Sequence, residues 1–529
     1  FSKAWYFSNA KLWIERLTDP DAYDLLEKNH KDIIEHKFNI IDKLASKKSW
    51  ANFFGPNGIQ PQQMESLKAW AKLITALGKG KGKHAARKTK AAKDKMKEMQ
   101  ESIPCWVMPL YRVVENFTPG KHLFDVAIID EASQSGPEAL ILFFLAKKIV
   151  IVGDDKQIAP LNIRTDENSL VEFGNKYLKN IPNNELFANR ETSFFDIGDV
   201  KFGTRITLME HFRCVPEIIE YCNKRFYNRQ KLIPLRQFGS DRLKPIKPIY
   251  VNNGFTEGEG QNIKNEEEAN QIVNTIKNCI DDEKYKNKKF GVISLRGSTQ
   301  AKIIEQKLIS LIGAEKYEEH DIRCGDASHF QGDERNVIFL SMVVAPNQRF
   351  ATLSQEMYKR SFNVAVSRAQ DQLWVFHSVD MNDLNNNCER THLLNHCLNP
   401  ELNEEEIDNK IVPNDDRVEP FDSLFEQRVY NKIVERGYKV ISQYETYNRK
   451  IDLVIQGDKE KLAVECDGDE VHGPEQYQDD VDRQRDLERC GWVFWRIRSS
   501  SFYIDKNKSL ETLWKMLEER GIYPKINLK

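Results

Sequence analysis

Two apolar runs in the first third of the chain end in residues whose types suit phosphate chemistry. Val126-Ala127-Ile128-Ile129 leads into Asp130 and Glu131, and Ile149-Val150-Ile151-Val152 leads into the segment GDDKQIAP at 153–160. An aspartate at a strand end can hold a magnesium ion on ATP phosphates, and an adjacent glutamate can orient the attacking water. The ordered pair of strand ends predicts a nucleotide-hydrolysing site.

A second group of carboxylates lies near the C-terminus. The predicted strand 450–455 contains Asp452, and the next predicted strand, 461–468, contains Glu465 and Asp467. Carboxylates from neighbouring strands can converge on one divalent cation, and ligation by oxygen alone suits magnesium or manganese. Such a metal can activate water and stabilise an in-line displacement at phosphorus. These residues therefore predict a metal-dependent site for phosphodiester cleavage.

The elements that must position these residues follow from the apolar pattern. Residues 201–395 alternate short apolar runs with helical patterns, which predicts a second parallel α/β sheet. Residues 1–100 carry apolar residues at helical spacing and predict mostly helix. An acidic stretch that includes Glu404-Glu405-Glu406 and Pro413 predicts a linker. The predicted strands of 201–395 include 289–295, 336–344 and 372–377.

Composition is typical of a large soluble protein with several cores. The chain has 529 residues, 40% of them hydrophobic, and a net charge of −2, so local patches must supply any affinity for nucleic acid. Nine cysteines include no C-x-x-C pair, which indicates a reducing compartment. There is no signal peptide, and the longest apolar run, 139–146, is too short to cross a bilayer. These features predict a cytoplasmic protein without a membrane partner.

Five ordered segments resemble the motifs of superfamily 1 helicases, particularly the branch of the nonsense-decay RNA helicases and their DNA-acting relatives. The resemblance covers about 101–380, and the order of the segments makes coincidence implausible. It implies two RecA-like domains with ATP between them. The segments are DEASQ at 130–134 and GDDKQIAP at 153–160 (motifs II and III), EHFRC at 210–214 (motif IV), DASHFQGDE at 326–334 (motif V) and NVAVSRA at 363–369 (motif VI).

The helicase resemblance also implies a role for each matching residue. Asp130 would coordinate magnesium, Glu131 would orient water, and Gln157 would sense the γ-phosphate. The guanidinium groups of Arg213 and Arg368 would stabilise charge on the transferred phosphoryl group. Three motif V residues would couple nucleotide state to strand binding, namely Gln331, Gly332 and Glu334.

The chain departs from this family in one respect. A motor of this kind needs a phosphate loop, G-x-x-x-x-G-K-[ST], and the sequence contains none. The segment GKGKGK at 78–83 follows no apolar strand and has no Ser or Thr after its lysines. Because the chain also begins at Phe1, we expect it to be the C-terminal part of a longer polypeptide whose upstream part supplies the phosphate loop. The chain alone would hydrolyse ATP poorly.

The C-terminal carboxylates resemble the PD-(D/E)xK nucleases, in particular the very-short-patch-repair-like branch. His472, Asp482, Arg485-Asp486, Leu487, Gly491-Trp492 and Arg496 fit the later pattern of that branch. Asp467 occupies the position at which the usual pattern has a lysine. Asp467 would then be a third metal ligand beside Asp452 and Glu465, with His472 or Lys461 assisting proton transfer. A degenerate fold that only binds DNA is the alternative.

Other patterns leave their alternatives open. The basic stretch 79–97 is either a phosphate-backbone contact or a solvated helix face. Trp106, in a segment that resembles a strand and loop reaching single-stranded nucleic acid, is either a contact residue or core. Trp492, Phe494 and Trp495 are more typical of core than of base stacking. The group Cys388, His392, His396 and Cys397 fits a packed helix better than a familiar zinc pattern.

The sequence therefore predicts an α/β protein with two RecA-like domains, the first incomplete, and a restriction-endonuclease-like domain. We expect an ATP-dependent helicase or translocase fused to an endonuclease, with magnesium or manganese at both sites, acting on single-stranded or duplex DNA in prokaryotic antiphage defence or repair. An RNA-directed motor, a remodeller with an inactive nuclease and an ATP-gated nuclease without unwinding are the alternatives. The expected divisions are a helical insertion (1–100), the rest of RecA-like domain 1 (101–200), RecA-like domain 2 (201–395), an acidic linker (396–420) and the nuclease (421–529).

Overall fold

The computed structural model describes most of the chain, which divides into two compact units. The first unit comprises 1–130 and 137–151, and the second comprises 131–136 and 152–529. The described residues are 2–17, 20–56, 58–78, 84–99, 103, 105–117, 120–121, 123–160, 167–187, 189, 192–236, 238, 242–400, 410–446, 449–468, 484, 487–488 and 491–525.

The first unit is mostly helical. Its α3 and α4 pack against each other, and Met96 and Met99 of α4 are buried in a cluster with Phe117. Its elements are α1 (Ser2–Leu17), α2 (Pro20–Phe54), α3 (Pro61–Leu77), α4 (Ala85–Met99), α5 (Leu110–Asn116), β1 (Phe124–Ile129), α6 (Ile141–Leu145) and β2 (Ala146–Ile151).

Strands β1 and β2 form a two-stranded parallel sheet with one open face. The register pairs Ile128 with Val150, and Ile129 on the opposite face is buried. On the open face Ile128 is 71% exposed, Val126 48% and Val150 46%. Parallel sheets are normally covered on both faces, so this apolar surface is unusual for a folded protein.

A five-stranded, fully parallel sheet dominates the second unit, in the order β5-β11-β10-β8-β9. Its central strand contains Val337-Ile338-Phe339-Leu340, and all four side chains are buried, as expected for a strand covered by helices on both faces. The elements up to this sheet's end are α7 (Glu167–Tyr177), α8 (Phe194–Phe202), β3 (Glu210–His211), α9 (Pro216–Arg225), β4 (Ile233–Pro234), β5 (Ile246–Tyr250), β6 (Thr256–Glu257), β7 (Lys264–Asn265), α10 (Glu266–Ile280), β8 (Phe290–Ser294), α11 (Ser298–Glu319), β9 (Arg323–Asp326), β10 (Arg335–Ser341), α12 (Glu356–Ser367), β11 (Ala369–His377) and α13 (Glu389–Leu398).

A four-stranded sheet in the order β12-β13-β14-β15 follows in the same unit. Strands β12, β13 and β14 are antiparallel neighbours, whereas β14 and β15 run parallel. Its elements are α14 (Leu424–Glu435), β12 (Val440–Thr446), β13 (Arg449–Gln456), β14 (Lys461–Asp467), β15 (Phe494–Arg498), α15 (Ser499–Ile504) and α16 (Lys506–Glu519).

The predicted α/β fold class is confirmed, because the second unit contains the parallel sheet and the predicted strands lie within or close to β8, β10, β11, β13 and β14. The segment 105–109 contains no strand. Trp106 instead contacts Phe117 edge to face at 5.5 Å between ring centroids, which supports a packing role for this side chain. In the described part of the chain, no helix has the length and apolar character needed to cross a membrane.

Candidate functional site

The loops that leave β1 and β2 carry the first predicted site residues. Asp130 follows β1 directly and is exposed, and Glu131 adopts a left-handed backbone conformation with φ 52°. The Ala132 N–H donates to the Val152 carbonyl at 2.8 Å. A Cβ at Gly153 would lie 3.0 Å from the Ser133 nitrogen, so glycine allows these two loops to pack closely.

Gln157 and Arg368 face each other across a hydrogen bond. Arg368 Nη2 donates to Gln157 Oε1 at 3.1 Å, and Gln157 Nε2 donates to Asp154 Oδ2 at 3.0 Å. These contacts join the loop after β2 to the residue that ends α12. The structure therefore brings together two residues that lie more than two hundred positions apart in the sequence.

Arg213 lies beside Arg368 and pairs with Glu334. Its Nε donates to Glu334 Oε2 at 2.7 Å, and Gln370 Nε2 donates to the other oxygen of the same carboxylate at 2.7 Å. Burial, followed by the positive charge of Arg213, lowers the pKa of His211 to about 4. The neutral imidazole can then accept the Cys214 N–H at 3.0 Å, which fixes the backbone next to Arg213.

The Arg368 guanidinium is buried, and its side-chain hydrogen-bond partner Gln157 is uncharged, so within the residues that the structure describes its positive charge is not balanced by a carboxylate partner. The residue is 2% exposed, and burial followed by repulsion from Arg213 lowers its pKa to about 10, so it stays charged at neutral pH. A buried guanidinium without a carboxylate partner of its own is costly unless an anion approaches it. A polyphosphate has the charge and the oxygen acceptors to compensate Arg368.

Four buried polar atoms in these segments have no hydrogen-bond partner in the described part of the chain. They are Ser133 Oγ, Gln331 Nε2, Asn363 Oδ1 and Arg368 Nε. Buried polar groups are normally paired, and unpaired ones call for an explanation such as a ligand. Two of the four are N–H donors, which suits the oxygens of a nucleotide phosphate. The two other motif V residues, Gly332 with φ 78° and Glu334, are exposed.

The predicted nuclease carboxylates share one face of the four-stranded sheet. The register that pairs Leu453 with Val464 places Asp452 opposite Glu465, and Asp467 follows on the same side of β14. Asp452 Oδ2 accepts the Cys466 N–H at 2.7 Å, and Arg496 Nη1 donates to Asp467 Oδ1 at 2.7 Å. Arg496 therefore neutralises Asp467, the residue in the usual lysine position.

Among the described residues, no group of three His, Cys, Asp or Glu side chains is placed to hold a metal ion. That holds for the nuclease carboxylates and for Cys388, His392, His396 and Cys397. His396 Nε2 instead contacts the Glu217 carbonyl oxygen at 2.9 Å, and Cys388 Sγ accepts the Leu353 N–H at 3.4 Å. The predicted His472 lies outside the described residues, as do Asp482, Arg485 and Asp486.

Sequence reasoning left Glu426 out of the candidate site. This residue of α14 is 2% exposed, and burial raises the pKa of its carboxyl to about 7, with Asp452 adding to the rise. It accepts hydrogen bonds from Gln443 Nε2 at 2.9 Å and from the Asp422 N–H at 3.0 Å. Glu426 could have been found because it shares the apolar face of α14 with Val429, where a carboxylate is unexpected.

The basic stretch is described only from residue 84 onwards. In α4, Arg87, Lys90 and Lys97 are exposed, whereas Lys88 Nζ donates to the Ala76 carbonyl of α3 at 2.8 Å and Lys95 pairs with Glu98 at 2.9 Å. Part of the positive charge thus stabilises the α3–α4 pair and part faces solvent. Both alternatives for this stretch remain compatible with these contacts.

Three segments of the chain match protein-family models. Residues 112–164 and 191–380 each match a model described as an AAA domain, and residues 425–517 match the model named REase_MTES_1575. These segments contain the two groups of candidate site residues described above.

The chain is also similar to proteins with helicase names. It is 26% identical over 306 residues to the uncharacterized ATP-dependent helicase MG140 of Mycoplasma genitalium, 25% over 302 residues to the putative helicase mov-10-B.1 of Danio rerio, and 26% over 272 residues to the uncharacterized ATP-dependent helicase MJ0104 of Methanocaldococcus jannaschii. These matches cover 54%, 51% and 47% of this chain, but only 26%, 28% and 35% of the respective relatives.

Among solved structures, the PRRSV helicase is similar at 11% identity and a TM-score of 0.24, covering 55% of this chain and 45% of that one.

Proposed function

Because helicase-like, ATP-dependent segments and a restriction-endonuclease-like domain occur in one chain, we propose that this protein couples an ATP-driven nucleic-acid motor to a metal-dependent nuclease. The Gln157–Arg368 contact beside Arg213 carries the motor half of the proposal. That cluster contains two guanidinium groups and buried N–H donors without a partner in the described residues, which are groups that can bind the oxygens of a phosphoryl group.

In the motor, the proposed roles follow the chemistry of each side chain. Asp130 would hold a magnesium ion, which supplies charge neutralisation on the phosphates when bound, and Glu131 would orient the water for attack. Gln157 would contact the γ-phosphate through its amide. Arg213 and Arg368 would stabilise the negative charge that grows on the phosphoryl oxygens.

Motif V would link that chemistry to the nucleic-acid strand. Glu334 holds Arg213 by a charged hydrogen bond at 2.7 Å, so a movement of the segment 331–334 would displace that guanidinium. Gln331 has an N–H without a hydrogen-bond partner among the residues described. Gly332 adopts a positive φ, which allows the backbone to turn between Gln331 and Glu334. These contacts support the proposed coupling of Gln331, Gly332 and Glu334 to nucleotide state.

The open face of β1 and β2 supports a further part of the proposal. Val126, Ile128 and Val150 would be covered by a segment that contains an apolar parallel strand and a phosphate loop. We propose that the upstream part of the same polypeptide is that segment. Its Gly-rich loop would supply backbone N–H donors for the nucleotide phosphates.

In the nuclease, Asp452 and Glu465 would hold magnesium or manganese, which activates water when bound. Asp467 would complete the ligand set if Arg496 moved away from it. Glu426, with a pKa of about 7, can take up or release a proton near neutral pH next to Asp452. His472 is proposed to assist proton transfer. The resemblance to very-short-patch-repair-like nucleases supports DNA as the substrate, in a genome-defence or repair setting.

An inactive nuclease that only binds nucleic acid is the second candidate. The ion pair between Arg496 and Asp467 favours it, because a carboxylate neutralised by arginine is a weaker metal ligand. Cleavage assays separate the two candidates. End-labelled single-stranded and duplex DNA and RNA would be incubated with the protein and either Mg²⁺ or Mn²⁺.

We expect metal-dependent cleavage of DNA that Asp452→Ala and Glu465→Ala each abolish. Glu445→Ala, which removes an exposed carboxylate from neighbouring β12, is the matched control and should cleave like the wild type. Binding without cleavage by the wild-type protein in both metals would favour the inactive fold. Cleavage that persists in both variants would mean that the metal ligands lie elsewhere.

A further inference from the structure

Tyr227 lies two residues beyond α9 and outside all five helicase-like motifs, yet it contacts two of them. Its Oη donates to Asp154 Oδ2 at 2.6 Å and accepts from Asn363 Nδ2 at 2.9 Å. Burial, followed by the charge of Asp154, raises the pKa of the Tyr227 hydroxyl above its usual value. The hydroxyl therefore keeps its proton and acts as the donor to Asp154 at any physiological pH.

The oxygen that Tyr227 contacts is also the one that holds Gln157. Asp154 Oδ2 accepts both the Tyr227 hydroxyl and Gln157 Nε2, and Gln157 Oε1 in turn accepts from Arg368. Asn363 also donates to the Lys156 carbonyl at 2.9 Å. The hydrogen bonds thus close a ring through the loop after β2, Tyr227 and the C-terminal half of α12.

We propose that Tyr227 is a positioning residue for ATP hydrolysis. This proposal rests on the proposed motor function. A glutamine amide can point either its oxygen or its nitrogen towards Arg368. The bond to Asp154 selects the orientation in which the oxygen faces Arg368, and Tyr227 holds Asp154 in the position that makes this bond. Tyr227 therefore acts on the phosphate-facing side chains through Asp154 and Gln157.

A purely structural role for Tyr227 makes a different prediction. Its ring packs against the core that contains Cys222 and Phe362, and the ring alone would explain its presence there. Tyr227→Phe keeps that packing and removes only the hydroxyl. The variant therefore separates the hydrogen-bond role from the packing role.

The test is a double-mutant cycle on nucleic-acid-stimulated ATP hydrolysis by the full-length polypeptide. We expect Tyr227→Phe to lower kcat about tenfold, the scale of one hydrogen bond to a charged group, with little change in KM for ATP. In a Gln157→Ala background, the same change should have almost no further effect. Tyr221→Phe, which removes a hydroxyl buried in the same core, should stay close to wild type.

Two results would overturn the inference, and they can be told apart. If Tyr227→Phe lowers kcat equally with and without Gln157, or lowers it only together with the thermal unfolding midpoint, the hydroxyl does not act through Gln157. If the wild-type polypeptide has no nucleic-acid-stimulated ATPase activity at all, the proposed motor function fails, and the inference fails with it.

Discussion

The two candidate sites carry opposite charges, although both are proposed to act on phosphate groups. The proposed motor cluster contains Arg213 and the buried Arg368 with N–H donors unpaired among the described ranges, whereas the proposed nuclease face contains Asp452, Glu465 and Asp467. Arginines can bind a phosphate directly. Carboxylates repel it unless a cation lies between them. Under the proposed function, phosphate would therefore be bound by the protein's own side chains at one site and only through a metal at the other.

The difference extends to how each site is held together. In the proposed motor cluster, hydrogen bonds between side chains join residues from four separate segments, 153–160, 210–214, 326–334 and 363–370. On the nuclease face, β13 and β14 place Asp452 and Glu465 through backbone register, and Asp452 is fixed by the Cys466 N–H. We expect the geometry of the first site to depend on the contacts between its side chains, and the activity of the second site to depend on a bound metal ion.

The largest expected effect is the loss of Arg368. Arg368→Ala should lower kcat for ATP hydrolysis by about 10³-fold or more, because an arginine at the transferred phosphoryl group contributes that scale. Arg368→Lys should recover little, since a lysine lacks the planar fork that reaches Gln157 and phosphate together.

Arg229→Ala, at an exposed position of the same unit, is the control and should remain near wild type. Nuclease activity measured without ATP should be unchanged in all three variants if the two sites bind phosphate independently. A loss of metal-dependent cleavage in Arg368→Ala would show that the two sites do not bind phosphate independently.

A pair of buried carboxyls gives a second, smaller test. Burial raises the pKa of Glu268, under the five-stranded sheet, to about 7, the same value as for Glu426 in the nuclease region. Because the folded pKa of Glu268 lies above its ordinary value of 4.5, its stabilising contribution is fully present below about pH 4.5 and is lost as the pH rises through about 7.

We expect Glu268→Gln to remove a pH-dependent change in the free energy of unfolding on the order of 3 kcal/mol between these limits. Urea unfolding at pH 5 and pH 8 measures it, and Glu267→Gln, at the exposed neighbouring position, is the control. Mn²⁺ should leave the Glu268 contribution unchanged. A Mn²⁺-dependent change in Glu268→Gln would contradict the separation of the two regions.

The smallest expected effect concerns a direct contact between the regions. Lys461 Nζ of β14 lies 4.5 Å from the ring centroid of Phe238, which packs against the core of the parallel sheet. A cation–π contact of this kind contributes about 0.5–1 kcal/mol. Lys461→Met should therefore change the unfolding free energy by less than about 1 kcal/mol, with exposed Lys459→Met as the control.

Lys461 Nζ also donates to the Tyr444 hydroxyl at 3.3 Å. A double-mutant cycle with Phe238→Leu therefore isolates the contact, because only the part of the Lys461→Met effect that depends on Phe238 is lost in that background. A coupling energy well above this scale, or a change in ATPase rate in Lys461→Met, would show that the two regions act as one functional unit.

The sequence predicts the parts of this molecule that depend on neighbours along the chain. The apolar run in β10 and the acidic ends of β1 and β14 are local patterns, so the amino-acid order alone suffices to place these strands and candidate carboxylates. The register of neighbouring strands, which places Asp452 opposite Glu465, is determined only when β13 and β14 pair in the folded protein.

What the sequence could not predict depends on contacts between distant segments. Nothing around Tyr227 marks it as a partner of Asp154, because the hydrogen bond spans 73 positions. The place of Glu426 on the apolar face of α14 is visible in the sequence, but its hydrogen bond from Gln443 is not, because that contact joins α14 to β12. The ion pair between Arg496 and Asp467 likewise depends on β15 lying beside β14.

The open face of β1 and β2 has a consequence for handling the protein. Val126, Ile128 and Val150 form an exposed patch of β-branched side chains on a sheet only two strands wide, and exposed apolar patches promote association with other molecules. Preparations of this chain alone should aggregate in a concentration-dependent way, and a charged residue at Ile128 should improve their solubility. The solubility of the protein would then indicate whether the proposed upstream segment covers that face.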